Sequence, residues 1–405
     1  MSRRGWLWVA FVVVHAAIAI FGFTMPNQPM GDVYFVYEPW SLAALRGDGI
    51  VGVTSSWVYP QLALIPMVLA HGLECIAGYE VAWAIMVTAF SALGFAVLVG
   101  RGRSQGRFTA AAFWLAYTAL LGPIAMYRID AVTVPLAVAG CLWLVGRPWL
   151  ASALLAVATW IKVWPAALLL AALIAVRRRG AVIGGALAVS AATIVVVVLL
   201  GGGGHVFGFI TDQADRGLQI EAPVSMAYLW LAVAKVPGSF LYYDRDLLTF
   251  QASGPEVDVV IALMTPLLAL VVSAIAILGV VKLRRGASFA GLFPPLALSL
   301  VLALFVVNKV GSPQYLTWLI APIVIGLVID RRRWWRLATA ALAVALLTQL
   351  NYPLLYGYLL ISDAGAVAVL TARNLLAIAL LVWSVIKLAK VPQRMRHPVP
   401  QPTPA

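Results

Sequence analysis

The chain has 405 residues, 63% hydrophobic and 11% charged, with a mean hydropathy of +0.97, far outside the soluble globular range. That excludes a water-soluble domain as the frame of reading. The net charge of +13 then reads as a membrane-topology signal with affinity for anionic headgroups, and nothing in it argues for nucleic acid.

Apolar stretches of the length that a hydrocarbon core of about 30 Å requires recur along nearly the whole chain. They predict about twelve helices, near 6–23, 60–77, 79–100, 108–123, 130–146, 150–176, 181–200, 257–282, 288–308, 313–329, 335–351 and 364–389. The start, MSRRGWLWVAFVVV, has the basic opening of a secretory signal. No small-x-small site closes that span, which ends FGFTMPNQPM, so a retained first helix is expected. The expected architecture is an all-α polytopic membrane protein with one integral domain over 1–389 and a Pro-rich basic tail over 390–405. Two long loops, 24–59 and 201–258, are expected on the outer face and to bear short interfacial helices.

Orientation follows from Lys and Arg, which accumulate on cytoplasmic loops. Arg3-Arg4, Arg177 to Arg179, Lys282 with Arg284-Arg285, Arg331 to Arg333 with Arg336, and the tail from Lys387 all fall inside on a twelve-span count, as do both termini. The cluster Arg101, Arg103 and Arg107 falls outside on that count. It moves inside if 60–77 is interfacial or re-entrant, provided that 150–176 breaks into two half-helices at Lys162 to Pro165. Both arrangements stay open at this point.

The acids are distributed differently. Ten of the fifteen Asp and Glu lie in the two long loops: Asp32, Glu38 and Asp48 in the first, and Asp212, Asp215, Glu221, Asp244, Asp246, Glu256 and Asp258 in the second. Solvation of an external loop explains some of them, but DQADRGLQIEAP (212–223) concentrates acids, amides and one Arg beside Gly and Pro. Cys75 and Cys141 fall in apolar spans and read as buried structural thiols; the four His are scattered without ligand spacing, so no metal is expected. No P-loop, dinucleotide fingerprint or Ser-His-Asp order is present, and Gly201 to Gly204 lacks the Lys-Ser/Thr of a phosphate loop.

Polar residues within spans are functional hypotheses by default. Lys162, three residues before Pro165 and flanked by Trp160 and Trp164, is one, with snorkelling to an interface as the bland alternative. Lys309 ends a span and leads into Ser312, Pro313, Gln314 and Tyr315. Arg128 and Asp130 read as a mutually neutralising pair at a helix boundary, and Arg373-Asn374 as a buried site with a structural role.

Together these residues describe the chemistry of a lipid-phosphate sugar donor. Its anionic leaving group needs cations, and the acceptor hydroxyl must lose a proton to a carboxylate. Asp32, in MGDVYFVYEPW just beyond the first span, is the candidate base, with Lys309, Lys162 and Arg216 as candidate phosphate partners. Trp57, Tyr59 and Tyr315 offer ring faces to a sugar; Glu38, Gln219, Glu221, Ser312 and Gln314 offer polar groups to its hydroxyls or to the acceptor. Interfacial belt packing is the bland alternative for each aromatic residue.

The succession GDVYFVYEP, WVYPQLALIP, the K-x-x-P of a middle span, RGLQIE and NKVGSPQYLTWLIAP resembles the C-type (GT-C) glycosyltransferase superfamily. More narrowly it resembles the polyprenyl-phosphate-sugar-dependent glycosyltransferases of family 87, known chiefly from actinobacteria. The resemblance implies a GT-C fold and a metal-independent, inverting transfer from a polyprenyl-phosphate sugar to a cell-envelope glycolipid or glycan, on the outer face of the plasma membrane. Carried onto this chain, it implies Asp32 as the early loop acid, Lys309, Ser312, Gln314 and Tyr315 after a late helix end, and Arg216 with Gln219 and Glu221 in the second loop. The chain departs from the oligosaccharyl- and protein-mannosyltransferase branches, because Asp32 is followed by Val33 and no Asp-Glu pair occurs. Mannose in α linkage is the expected transfer, with arabinofuranose as the rival sugar. A secondary transporter or flippase is the competing class, though no internal repeat is visible, and a non-catalytic assembly factor is a third reading.

Overall fold

The structure is a computed structural model that describes residues 2–214 and 216–392. Asp215 and residues 393–405, most of the expected basic tail, lie outside the described residues. The fold is mostly helical. In chain order the helices are α1 (Arg3–Thr24), α2 (Glu38–Arg46), α3 (Leu64–His71), α4 (Tyr79–Val99), α5 (Gln105–Leu121), α6 (Asp130–Trp143), α7 (Pro148–Ile161) and α8 (Ala166–Ala175). There follow α9 (Arg179–Leu199), α10 (Gly208–Ala214), α11 (Met226–Val233), α12 (Val257–Arg284), α13 (Phe289–Val306), α14 (Ile320–Gln349), α15 (Tyr356–Leu360) and α16 (Ala364–Ala389). Eight helical stretches among the described residues are long and apolar enough to cross a bilayer, containing α1, α4, α5, α9, α12, α13, α14 and α16. This is a multi-pass membrane protein.

Two expected spans have a different form. The 60–77 segment holds only a 3₁₀ turn (Gln61–Ala63) and the eight-residue α3, about 12 Å long and far short of a bilayer. Its apolar run is interrupted by Pro60, Pro66, Gly72 and Glu74, and Cys75, expected to be buried in a span, is exposed beyond α3. The 150–176 segment breaks into α7 and α8. Pro165 supplies no backbone N–H to continue α7, and Lys162 turns into extended backbone (φ −151°, ψ 135°). The structure therefore combines the short 60–77 helix with a broken 150–176. The expected pair 313–329 and 335–351 corresponds to two legs of α14, which leaves helical geometry at Asp330 (φ −146°, ψ 79°) beside Arg331 to Arg333.

The basic clusters gather at one end of the bundle. Arg3 Nη1 donates to Gln105 Oε1 at 3.1 Å, joining the starts of α1 and α5. Arg107 caps the end of α4 through Val97 O (2.9 Å) and Leu98 O (3.1 Å). Lys387 Nζ donates to Arg333 O at 3.0 Å, which brings the end of α16 to the α14 kink. Gly106 packs directly on the Val328 carbonyl of the first α14 leg. Between the ends, helices approach closely where small residues allow it. A Cβ on Gly94 of α4 would stand 2.6 Å from Pro135 Cβ of α6, so the two backbones are in contact.

The second long loop departs from the all-helical expectation. Besides α10 and α11 it carries an antiparallel hairpin, β1 (Phe240–Asp244) and β2 (Thr249–Ser253), in register Phe240↔Ser253 to Asp244↔Thr249. Aromatic and β-branched residues suit paired strands, and Asp244 Oδ1 closes the turn by accepting from the N–H of Asp246 and Leu247, both at 3.0 Å. The hairpin is extended by residues 218–220, since Ala252 N donates to Leu218 O (2.8 Å) and Ile220 N to Phe250 O (3.2 Å).

Candidate active site

At the end of the bundle away from the basic clusters, a cavity of about 380 Å³ opens between the first loop, the breaks at 128 and 162, the second loop and the segments at 312–315 and 352–356. Helices α6, α7 and α8 have 14, 14 and 10 residues. At about 1.5 Å per residue these are roughly 21, 21 and 15 Å long, less than the ~30 Å of a hydrocarbon core. The ends that carry Arg128 and Lys162 are therefore recessed within the bundle.

Asp32 lies on the cavity wall at the start of a π-helical turn (Val33–Tyr37), its side chain one-third exposed (33%). Arg128, whose side chain is 8% exposed, places Nε 3.3 Å from Asp32 Oδ2. Tyr37 OH lies 3.4 Å from the same oxygen and accepts from Ile129 N at 3.1 Å. Arg128 and Asp130 do not form the expected pair. Asp130, fully buried, accepts instead from Trp318 Nε1 at 2.6 Å, while Arg128 turns to the cavity.

Lys162 enters the same cavity because the break at 162–165 turns it out of the helical path. Its Nζ stands over the rings of Tyr59 (4.2 Å) and Tyr315 (5.8 Å). Among the described residues no hydrogen bond to that ammonium forms, so its donors remain available to a ligand. Below it Tyr315 stacks on Trp318 (4.1 Å, 22°) and Trp318 on Trp164 (5.8 Å, 10°), a rigid floor locked by Trp164 Nε1 to Thr133 Oγ1 (2.9 Å). Arg216 completes the cavity cations, and its Nε has no hydrogen-bond partner among the described residues. Tyr59 keeps its proton well above the ordinary phenol range, first through burial and then through Asp32 and Asp130. It is a neutral donor.

The segments RGLQIE and NKVGSPQY form one structural unit. Gln219 N donates to Lys309 O (3.0 Å), and Gln219 Oε1 accepts from Gly311 N (3.1 Å) and Ser312 Oγ (3.0 Å). Gly311 lies on the Glu221-Ala222 backbone so closely that a Cβ would stand 2.6 Å from Glu221 C. Glu221 is almost fully buried on the wall, its carbonyl accepting from Arg373 Nη2 at 3.0 Å, while Oε2 has no partner among the described residues. Burial raises its carboxyl pKa above the ordinary value.

The structure thus brings together Asp32, Lys162, Arg216, Tyr59, Gln219, Glu221, Ser312, Gln314 and Tyr315. Three expected site residues do not line the cavity: Glu38, Trp57 and Lys309. Glu38 faces α3 and α4, where burial raises its carboxyl pKa and Glu80 and Glu74 add to the shift. Trp57 is buried behind the wall, edge-on to Trp40 (5.4 Å) and Tyr59 (5.5 Å). Lys309 is buried, and what it contributes to this unit is its backbone carbonyl. Residues not singled out from the sequence complete the wall, chiefly Tyr352 and Tyr356, Trp40, and Asp246 at the hairpin turn. An N-Y-P break after the penultimate span was the available signal for Tyr352.

The model of glycosyltransferase family 87 matches residues 57–236. Over these residues the match bears out the resemblance to family 87 drawn from the sequence motifs. The family 87 match covers Tyr59, Arg128, Lys162, Arg216, Gln219 and Glu221, so it spans the cavity cations, while Asp32 and 309–315 lie outside it. No curated protein and no solved structure matches the chain.

Proposed function

We propose that this cavity transfers a single sugar from a polyprenyl-phosphate donor to a cell-envelope glycolipid or glycan, within a GT-C architecture and on the outer face of the plasma membrane. The observation that carries the reading is the facing of one carboxylate, Asp32, and the cations Lys162 and Arg216 across one recessed cavity in a membrane protein that matches a glycosyltransferase family. Asp32 takes the proton of the acceptor hydroxyl; the oxygen attacks the anomeric carbon from the face opposite the phosphate. The bond from that carbon to the phosphate oxygen breaks, its electron pair leaves with polyprenyl phosphate, and Lys162 and Arg216 stabilise the developing charge. Attack from the opposite face inverts the anomeric centre, so a β-linked donor yields an α linkage. Tyr59 and Tyr315 hold Lys162 toward the phosphate, and their ring edges with the polar groups of Gln314 and Glu221 form the wall for the sugar. A volume of about 380 Å³ suits one sugar and its phosphate better than an oligosaccharide.

The outer-face assignment rests on charge. If α1, α4 to α9, α12, α13, the two legs of α14 and α16 are each taken as a pass, with α6 to α8 reaching only part of the way, the count is twelve and the basic clusters, Arg101 to Arg107 included, fall on the side away from the cavity. The positive-inside bias then supports cytoplasmic termini and a cavity facing outward. Mannose remains the proposed sugar on the resemblance alone, with arabinofuranose as its rival. Purified protein supplied in turn with polyprenyl-phosphate mannose and polyprenyl-phosphate arabinofuranose, with envelope glycolipids as acceptors, tests the reading by mass spectrometry of the product. Glycolipid extended by one sugar supports it; folded protein that extends none with either donor contradicts it.

A further inference from the structure

Arg128 differs from the other cavity cations in that the protein already uses most of its donors. A guanidinium carries five N–H groups. Nη1 donates to Pro29 O (2.9 Å) and Tyr127 O (3.1 Å), Nη2 donates to Tyr352 OH (3.2 Å), and Nε faces Asp32 Oδ2 at 3.3 Å. One Nη2 hydrogen remains for a ligand. Lys162 contacts two ring faces and has its ammonium hydrogens to offer.

We infer that Arg128 is the positioning residue of Asp32, an inference that rests on the proposed role of Asp32 as base. Three features carry it. Among the described residues, the ion pair and the hydrogen bond made to the Asp32 carboxylate both fall on Oδ2, from Arg128 and from Tyr37, itself pinned by Ile129 N. No described residue hydrogen-bonds Oδ1, so one oxygen is clamped and the other is left for an acceptor hydroxyl. The clamp also reaches the chain that carries Asp32. Arg128 holds Pro29 O directly, and Tyr352 OH, which accepts from Arg128, lies 3.3 Å from Asn27 O and 3.4 Å from Gln28 O. The Nε contact is an ion pair outside hydrogen-bond geometry. Catalytic contacts of this kind tighten when substrate is bound.

The test is steady-state kinetics of Arg128→Ala and Arg128→Lys in nanodiscs, with binding of polyprenyl phosphate as the check on folding. If Arg128 orients the base, both variants lose about 10²-fold in kcat, the scale of a misplaced catalytic group, while donor KM stays within about threefold. Added guanidinium restores at least about tenfold to Arg128→Ala and nothing to Asp32→Asn/Arg128→Ala. Donor KM rising with kcat unchanged would overturn the inference and make Arg128 a phosphate ligand. So would an unchanged kcat, or equal guanidinium rescue in the double variant. Should Arg128→Ala fail the binding check, Arg128→Lys carries the same prediction, since a lysine keeps the charge and lacks the fork. Normal turnover by Asp32→Asn alone would instead remove the base assignment, a distinct result.

Discussion

Gly311→Ala tests whether the two motif segments must touch for the cavity to work. The new Cβ would lie 2.6 Å from Glu221 C, against the 3.4 Å at which ordinary contact begins, and it would also crowd the Ala222 backbone. The 219–222 and 311–315 segments would have to part by at least about 0.8 Å, and no flexible side chain is there to absorb the shift. That movement carries Glu221 on one side and Ser312, Gln314 and Tyr315 on the other, and it strains Gln219 Oε1 to Gly311 N and Ser312 Oγ. Overpacking of this kind costs about 1–3 kcal/mol of stability. A displacement near 1 Å costs about 10²-fold in turnover when it moves substrate-positioning groups. The assay is sugar transfer by purified protein in nanodiscs, with thermal unfolding measured in parallel. Gly204→Ala is the control, because a Cβ there meets nothing within 4 Å. Gly311→Ala turnover within about threefold of wild type, in protein of unchanged stability, would refute the claim that this contact sets the cavity wall.

Three further outcomes follow from the same geometry. Lys162→Met should raise donor KM about tenfold to a hundredfold, the loss of a hydrogen bond to a charged group of roughly 1.5–3 kcal/mol, with little change in acceptor KM; an unchanged donor KM would remove Lys162 from the phosphate site. Glu38→Gln, by contrast, should leave kcat and both KM values within about twofold, since Glu38 does not line the cavity, and a large kcat loss would contradict that placement. The third concerns pH. Burial raises the folded-state pKa of Glu221 above its ordinary 4.5, so its contribution to stability is complete below the unfolded value and is lost as pH rises through the folded one. Glu221→Gln stays neutral, so the Tm of wild type minus that of Glu221→Gln should fall as pH rises above the ordinary 4.5 through the raised folded-state value, and a pH-independent difference would show that the carboxyl is not so shifted.

The break at Lys162 to Pro165 was legible because a proline three residues after an intramembrane lysine has few physical meanings, and the stranded Arg101 to Arg107 cluster pointed to the same break through charge. RGLQIE and NKVGSPQY were legible as polar motifs, but that one lies on the other is a property of the fold, written only in Gly311. Hydropathy left 60–77 open between a span and an interfacial segment because composition cannot distinguish a short helix at an interface from one that crosses. Arg128 was assigned to Asp130 by proximity in sequence, although Arg128 lies in the turn before α6 and Asp130 opens the helix. The structure gives Asp130 to Trp318 and Arg128 to Asp32. Lys309 shows the same limit in reverse. Its neighbours announced a site, yet a sequence does not say which way a side chain turns at a helix end. The hairpin was hidden because FLYYD, rich in aromatic residues, reads equally as an interfacial belt.

In the proposed reaction Asp32 deprotonates the acceptor across the cavity from the phosphate-binding cations. The most direct measurement is turnover of a polyprenyl-phosphate sugar by Asp32→Asn, in protein that still binds polyprenyl phosphate. The expected result is a fall in kcat of about 10²- to 10⁴-fold, the contribution of a positioned general base, with donor affinity retained. Wild-type turnover by that folded variant would contradict it.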